Sequence, residues 1–169
     1  MNRKRVVITG LGVVTPVGSG KETFWNALME GKNGVDLITR FDTSNFKTKI
    51  GAEIKDFEPK AFGIKPKDAK RMDKFTQFGV AAASLAIKDS GLKFAEYNDK
   101  MGTMIGTGIG GLMTLEEEKR KLIESNNPSR VSPFLIPMMM PNAVNAYVSI
   151  INKLTGTSPC IANACATGV

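Results

Sequence analysis

The sequence predicts a mixed α/β fold in which helices are layered on strands. Short β-branched runs alternate along the chain with longer segments whose apolar residues recur at helical spacing. This alternation is typical of layered α/β domains. The 169 residues are enough to bury a core, and 42% hydrophobic with 23% charged residues fits a soluble globular protein.

Four short runs are predicted strands. Lys4–Thr9 is β-branched and bounded by Gly10, which indicates a buried strand. The other runs, of which the last two should also be buried, are Lys49–Ile54, Lys100–Thr107 and Ser158–Asn163. The segments 34–45 and 56–66 are expected to be irregular.

Four amphipathic segments are predicted helices. They are Lys21–Glu30, Lys74–Ser90, Leu112–Ser125 and Asn142–Leu154. The clearest is Lys74–Ser90, where large apolar residues repeat at intervals of three and four before Gly91 ends the helix. Gly79 and the run Ala81–Ala83 should let it pack close to another backbone.

The small residues Ala164–Gly168 predict a tight turn around Cys165, where a strand gives way to a helix. Such a turn suits a nucleophile, because small neighbours let a substrate approach. A helix beginning there would aim its free N–H groups at the sulfur, favouring the thiolate and holding an oxyanion. The alternative is a small core residue, since free cysteine is usually buried. Residue chemistry leaves both open.

The composition limits the cofactors and the compartment. Cys160 and Cys165 match no zinc spacing, so we expect two free thiols and no metal site. No apolar run reaches transmembrane length, and the basic N-terminus lacks the apolar core of an export signal. We therefore expect a cytoplasmic protein that does not enter a membrane.

A net charge of +7 raises the question of an anionic partner. Basic residues are spread along the chain without interleaved aromatics, which disfavours nucleic acid. One cluster consists of Lys65, Lys67, Lys70, Arg71 and Lys74. It fits a docking surface for an acidic protein, or a solvated helix face paired with Asp68 and Asp73.

Two glycine motifs follow predicted strands and suggest dinucleotide binding. Gly10-x-Gly12 begins like the fingerprint, but Pro16 lies where the helix should start. Gly106-x-Gly108-x-x-Gly111 matches fully, yet no central strand ending in an acid follows about 20 residues later. Its helix also opens into Glu116–Glu118, which disfavours a pyrophosphate.

The segment ANACATG, residues 162–168, resembles the active-site segment of the β-ketoacyl-acyl carrier protein synthases, the condensing enzymes of fatty-acid synthesis. The likeness extends over the whole chain, and the elongating type II members are the most similar. The other segments that carry it are 5–18, 41–44, 71–73, 89–92, 106–111 and 132–134. The resemblance implies a thiolase-like layered α/β/α fold, of which residues 1–169 form a partial N-terminal ketoacyl-synthase domain that ends just after the nucleophile.

The resemblance also implies the site residues and the partners. Cys165 would be the nucleophile, and its backbone N–H would be an oxyanion donor. Ile109 would gate an acyl pocket bordered by Gly108, and Phe134, Met138 and Met139 would line it. Residues 138–140 are three methionines, which could instead be core filler. Lys67, Lys70 and Arg71 would dock acyl carrier protein, and about 158–163 would form a homodimer interface. No cofactor is implied.

The implied reaction is acyl transfer to Cys165 followed by decarboxylative condensation with malonyl-acyl carrier protein. The family's two histidines and its lysine lie further along than residue 169, and this chain has no histidine. We therefore expect the 169-residue chain alone to be inactive and poorly soluble. The alternatives are another thiolase-fold condensing enzyme, such as an initiating or polyketide synthase, and a non-catalytic segment that only binds acyl carrier protein.

Overall fold

Helices dominate the computed structural model, which describes residues 4–93, 96 and 99–168. The strands are β1 (Val14–Thr15), β2 (Gly18–Ser19), β3 (Asp36–Leu37) and β4 (Ile50–Gly51). The helices are α1 (Lys21–Met29), α2 (Pro66–Ala69), α3 (Lys74–Ser90), α4 (Leu112–Ser125), α5 (Leu135–Met139) and α6 (Ala143–Asn152). Short 3-10 turns cover Pro59–Phe62, Pro128–Arg130 and Ala164–Gly168.

The predicted helices are confirmed. Helices α3 and α4 have the predicted bounds, and α1 and α6 differ from them by one or two residues at their ends. The ends of α3 are specified locally, because the Asp73 side chain caps its first turn and Gly91 follows it with a φ of 64°.

The core lies between α3 and α6. Its buried side chains are Ile64, Met72, Val80, Val144 and Val148. Gly79 permits this packing, because a Cβ there would lie 2.5 Å from a methyl carbon of Val144. The contact at Gly79 is with a side chain, and the predicted close approach of α3 to another backbone is found at Ala82, whose carbonyl oxygen would lie 2.0 Å from a Cβ on Gly12.

The prediction of a buried strand at Lys4–Thr9 is wrong. Val6 is 92% exposed and Ile8 is 84% exposed. A strand needs a neighbour that completes its hydrogen-bond ladder, and no described segment pairs with residues 4–9. The glycines that follow lie against α3 instead, since a Cβ on Gly12 would be 2.0 Å from the Ala82 carbonyl oxygen.

Of two further strand predictions, the one at Lys49–Ile54 holds in part and the one at Lys100–Thr107 fails. Within Lys49–Ile54 only β4 forms, and it pairs antiparallel with β3, in a segment expected to be irregular. Lys100–Thr107 is extended but is not a strand in the described residues.

The prediction of a buried strand at Ser158–Asn163 is also wrong. The segment is extended and largely exposed, with only Cys160 half-buried. Its backbone hydrogen bond to residues 101–107 runs from the Thr107 N–H to the Ile161 carbonyl oxygen, and no regular ladder forms there among the described residues. The largest sheets among the described residues have two strands.

The segment 56–66 contains more structure than expected. A 3-10 turn forms at Pro59–Phe62, and α2 begins at Pro66. Proline suits the first position of a helix, where its missing N–H is not needed. Helix α2 thereby carries Lys67 of the basic cluster, with Lys65 directly before it and Lys70 directly after it. None of the helices in the described ranges is long and apolar enough to cross a membrane.

Candidate active site

Cys165 lies in a tight turn whose backbone is strained. Ala164, directly before it, has a φ of 48°, in the left-handed region that residues with a side chain rarely adopt. The 3-10 turn at Ala164–Gly168 follows, and the Asn163 N–H donates to the Thr167 hydroxyl oxygen over 2.8 Å. Strain of this kind in a loop is characteristic of functional sites.

The two cysteines differ in exposure. Cys165 is exposed and Cys160 is half-buried, and both are free thiols. The alternative of a buried core residue is therefore wrong for Cys165. Among the described residues, no group of histidine, cysteine and carboxylate side chains could hold a metal ion.

The segment before this turn runs alongside residues 101–107. The Thr103 N–H donates to the Thr157 carbonyl oxygen at 3.0 Å, and the Thr107 N–H donates to that of Ile161 at 3.1 Å. From the first bond to the second, the donor and the acceptor both move four residues towards the C-terminus. The two segments are therefore parallel. The Asn145 side chain of α6 holds the second segment by donating to the Pro159 carbonyl oxygen at 2.6 Å.

The glycine loop, residues 106–111, is in contact with the cysteine turn. A Cβ on Gly106 would lie 2.2 Å from the methyl carbon of Thr167, and one on Gly108 would lie 3.8 Å from the Ala164 carbonyl oxygen. A side chain at Gly106 would therefore displace the turn. The motif that resembles a nucleotide-binding loop permits close packing beside Cys165.

The other end of the glycine loop contacts α5. The Gly111 N–H donates to the Met139 carbonyl oxygen at 3.0 Å. A Cβ on Gly111 would lie 2.6 Å from the Met138 carbonyl oxygen. Met138 and Met139 are half-buried, whereas Ile109 is 67% exposed and Phe134 is 38% exposed. The loop thus lies between the cysteine turn and two of the predicted acyl-pocket residues.

A cleft of about 830 Å³ lies between the loop at 40–46 and the first turns of α3 and α4. Met138 is the residue that it shares with the predicted acyl pocket, and the rest of its wall comes from Met72 and Asp73, from α3 and α4, and from the loop at 40–46. The residues around it include Arg40, Phe41, Phe46, Lys74, Met113 and Arg120. The structure does not join the five predicted acyl-pocket residues into one cavity.

The predicted docking residues are exposed and adjacent. Lys67 lies on α2, Lys70 ends that helix, and Arg71 follows. The Arg71 guanidinium lies 4.5 Å from the centre of the Phe134 ring, and the Tyr147 hydroxyl donates to the Arg71 carbonyl oxygen at 3.1 Å. Partial burial raises the pKa of Tyr147.

Sequence reasoning missed the role of Asp73. This aspartate is buried, and it accepts hydrogen bonds from the Phe75 N–H and from both the N–H and the hydroxyl of Thr114. It thereby joins the starts of α3 and α4, and no ion pair links it to a basic residue of the described ranges. Its position directly before an apolar helix was an available signal for a cap.

Glu118 is a second buried carboxylate that the sequence did not reveal. It accepts from Lys121 at 2.7 Å and from the Ser132 N–H at 2.6 Å, which fixes the loop before Phe134. The Lys121 ammonium, followed by the Ser132 N–H, holds the pKa of Glu118 below its ordinary value. A glutamate in the middle of a charged helix gives no sign of burial in the sequence.

The comparisons with known proteins cover nearly the whole chain. Residues 3–169 match the model of the β-ketoacyl synthase N-terminal domain. The 3-oxoacyl-(acyl-carrier-protein) synthase 2 of Synechocystis sp. is 46% identical over 99% of this chain and 40% of its own length. That of Vibrio harveyi is 42% identical over 100% of this chain and 40% of its own length. The chain thus spans about two fifths of these relatives.

Solved structures give the same fold. The ishigamide ketosynthase/chain length factor superposes with a TM-score of 0.84 at 27% identity, over 95% of this chain and 40% of its own. A type II polyketide ketosynthase, solved in complex with its acyl-carrier protein, gives 0.70 at 20% identity, over 98% of this chain and 44% of its own. The second match shows the fold alone.

The fold is that of the ketosynthases, which have the thiolase-like fold. The chain belongs to the β-ketoacyl synthase family, of which it carries the N-terminal domain.

Proposed function

We propose that this chain is the N-terminal part of a 3-oxoacyl-(acyl-carrier-protein) synthase that elongates fatty acids, with Cys165 as its nucleophile. The observation that carries the proposal is the strained turn that presents an exposed Cys165 beside a glycine loop. The identity of 42–46% to curated elongating synthases, against 27% to the ishigamide ketosynthase/chain length factor, favours fatty-acid elongation over polyketide synthesis.

The proposed reaction begins with acyl transfer. The Cys165 sulfur attacks the thioester carbonyl of an acyl-carrier protein, a new thioester forms, and the carrier thiol leaves with a proton. Malonyl-carrier protein then loses carbon dioxide, and its carbanion attacks the acyl-enzyme. The Cys165 thiolate leaves, and the product is a 3-oxoacyl-carrier protein. The Cys165 N–H is proposed as one donor to the oxyanion.

The acyl chain is proposed to enter beside the glycine loop. The Gly108 position adjoins the cysteine turn, Ile109 follows it in the chain, and the Gly111 position adjoins Met138 and Met139. Unbranched methionine side chains adapt to a flexible alkyl chain. Phe134 completes the proposed wall, and its ring is held by Arg71.

Lys67, Lys70 and Arg71 are proposed to dock the acidic carrier protein. Three exposed cations on consecutive turns form a positive surface that steers an acidic partner. Because Arg71 also covers the Phe134 ring, the docking surface adjoins the proposed wall of the acyl pocket.

The parallel segments 101–107 and 156–161 are proposed to become neighbouring strands of a layered α/β/α core. The exposed run 158–163 is proposed as the interface of a cytoplasmic homodimer, which would cover apolar side chains such as that of Ile161. The 169 residues alone are proposed to be inactive, because they include no histidine to assist the chemistry.

A condensation assay tests the proposal. The coding sequence is first read past codon 169, and the full-length protein is then mixed with acyl- and malonyl-carrier protein. We expect a 3-oxoacyl-carrier product from the full-length protein and none from the 169-residue chain or from full-length Cys165→Ala. Carrier binding without any product would favour the non-catalytic alternative, and product from the Cys165→Ala protein would refute the assignment of the nucleophile.

A further inference from the structure

The buried carboxylate of Asp73 binds the first turns of two helices at once. One oxygen accepts from the Phe75 N–H of α3 at 3.1 Å. The other accepts from Thr114 of α4, at 2.9 Å from its N–H and 2.7 Å from its hydroxyl. Asp73 is 5% exposed and Thr114 is 7% exposed, so these bonds are largely shielded from water at the wall of the cleft. A buried charge is costly unless it is fully hydrogen-bonded, and here the two helix ends supply the donors.

Capping α3 does not by itself require this arrangement. Serine, threonine or asparagine caps a helix about as well as aspartate does. A carboxylate has a second oxygen, and here it receives two bonds from a residue 41 positions further along the chain. That second oxygen fixes the position of α4 relative to the start of α3.

The starts of α3 and α4 are next in the chain to the two parts of the proposed site, the docking cluster and the glycine loop. Arg71, in the docking cluster, lies two residues before Asp73, and the glycine loop ends three residues before Thr114. A Cβ on Gly111 would lie 3.2 Å from the Asp73 carboxylate, and the Gly111 N–H holds Met139. Asp73 therefore links the docking segment by hydrogen bonds to the start of α4, directly after the loop that carries Ile109.

We propose that Asp73 is a positioning residue that sets the placement of the glycine loop relative to the carrier-docking cluster. The proposal rests on the proposed function, because it concerns how a docked carrier delivers its acyl chain. With Asp73 in place, the distance from the docking surface to the loop at 106–111 is fixed. A long acyl chain, which must pass along that loop, depends on this distance more than a short chain does.

The test compares acyl chains of two lengths in the full-length synthase. We expect Asp73→Asn and Thr114→Val to lower kcat/KM for a long acyl chain about tenfold more than for a short one, because misplacement near a site is amplified in the rate. The KM for carrier protein should change by less than about twofold, since the docking cations remain. Thr114→Ser, which keeps the hydroxyl, should preserve the wild-type ratio. A loss of folded enzyme would instead lower both rates equally.

Asp89→Asn is the matched control. Asp73 caps the start of α3, whereas Asp89 is an exposed aspartate near the end of that helix, where it binds Lys21 and the Leu11 N–H. A long-to-short ratio that stays at the wild-type value in both Asp73→Asn and Thr114→Val would overturn the proposal. The same shift in Asp89→Asn would also overturn it. If Asp73→Asn does not fold, the comparison of Thr114→Val with Thr114→Ser decides whether the proposal holds.

Amide hydrogen exchange separates this proposal from the proposed function, because it needs no turnover. We expect residues 108–114 to exchange about tenfold faster in Asp73→Asn than in wild type or Asp89→Asn. Unchanged exchange in that loop would overturn the positioning role even in an active synthase. Faster exchange in a protein without condensing activity would support the positioning role while the proposed function fails.

Discussion

The Arg71 guanidinium lies 4.5 Å from the centre of the Phe134 ring. Arg71 belongs to the proposed docking cluster, and Phe134 belongs to the proposed wall of the acyl pocket. A cation over an aromatic face at an exposed site stabilises by about 0.5–1 kcal/mol. The contact therefore ties the surface that meets the carrier protein to the segment before α5.

Phe134→Leu should lower the free energy of unfolding of the full-length protein, because the arginine loses its aromatic partner. We expect a loss of about 1 kcal/mol beyond the change in buried area. Denaturant unfolding of Phe134→Leu, Arg71→Ala and the double variant measures the coupling between the two residues. Strictly additive losses would show that the contact contributes nothing.

Charge reversal in the docking cluster should weaken binding of acyl carrier protein. We expect Lys67→Glu and Lys70→Glu each to raise the Kd about tenfold, which corresponds to ~1.4 kcal/mol, with a smaller effect at high salt. Lys32→Glu, at an exposed lysine outside the cluster, is the control for net charge. Titration calorimetry at two salt concentrations measures the Kd of each variant. Equal weakening by all three variants would indicate non-specific attraction.

Glu118 should make stability depend on pH. Its lowered pKa means that the folded state favours the carboxylate, chiefly through Lys121. The stabilisation is fully present above the ordinary glutamate pKa, and it is lost as the pH falls through the lowered value. Thermal unfolding of wild type and Glu118→Gln should therefore differ at neutral pH and converge in acid. A difference that persists at low pH would contradict this account.

Gly12→Ala should destabilise the protein by steric overlap with α3. The added Cβ would lie 2.0 Å from the Ala82 carbonyl oxygen, so the N-terminal segment must move away. We expect a loss of about 1–3 kcal/mol in the free energy of unfolding, as for other overpacked sites. Gly168→Ala is the control, because no atom lies within 4 Å of its added Cβ. Equal stability of both variants would disprove the contact.

Helices were predictable from this sequence because their signals are local. The apolar spacing of α3, its cap at Asp73 and the glycine after it all lie within the helix or next to it. Strands depend on partners far along the chain, so the β-branched run at Lys4–Thr9 predicted a strand that the described residues do not complete. The segment 158–163 has the same problem: its apolar residues suggest burial, but no described layer covers them.

The candidate site was predictable only where a motif marks it. Small residues around Cys165 predicted the turn, but nothing local indicated that Gly106 would touch Thr167. Buried carboxylates were missed because burial depends on packing between distant helices. The position of Asp73 signals a helix cap but not its bonds to Thr114, and Glu118 looks in the sequence like an ordinary member of a charged helix.

The measurement that tests the central claim most directly is the site of acylation. Full-length protein is incubated with acyl-carrier protein without malonyl groups, digested, and analysed by mass spectrometry. The account predicts that the acyl mass lies on Cys165, is absent in Cys165→Ala, and is retained in Cys160→Ala, where the half-buried thiol is removed. An acyl group that remains in Cys165→Ala, or that lies on Cys160 in the wild type, would contradict the account.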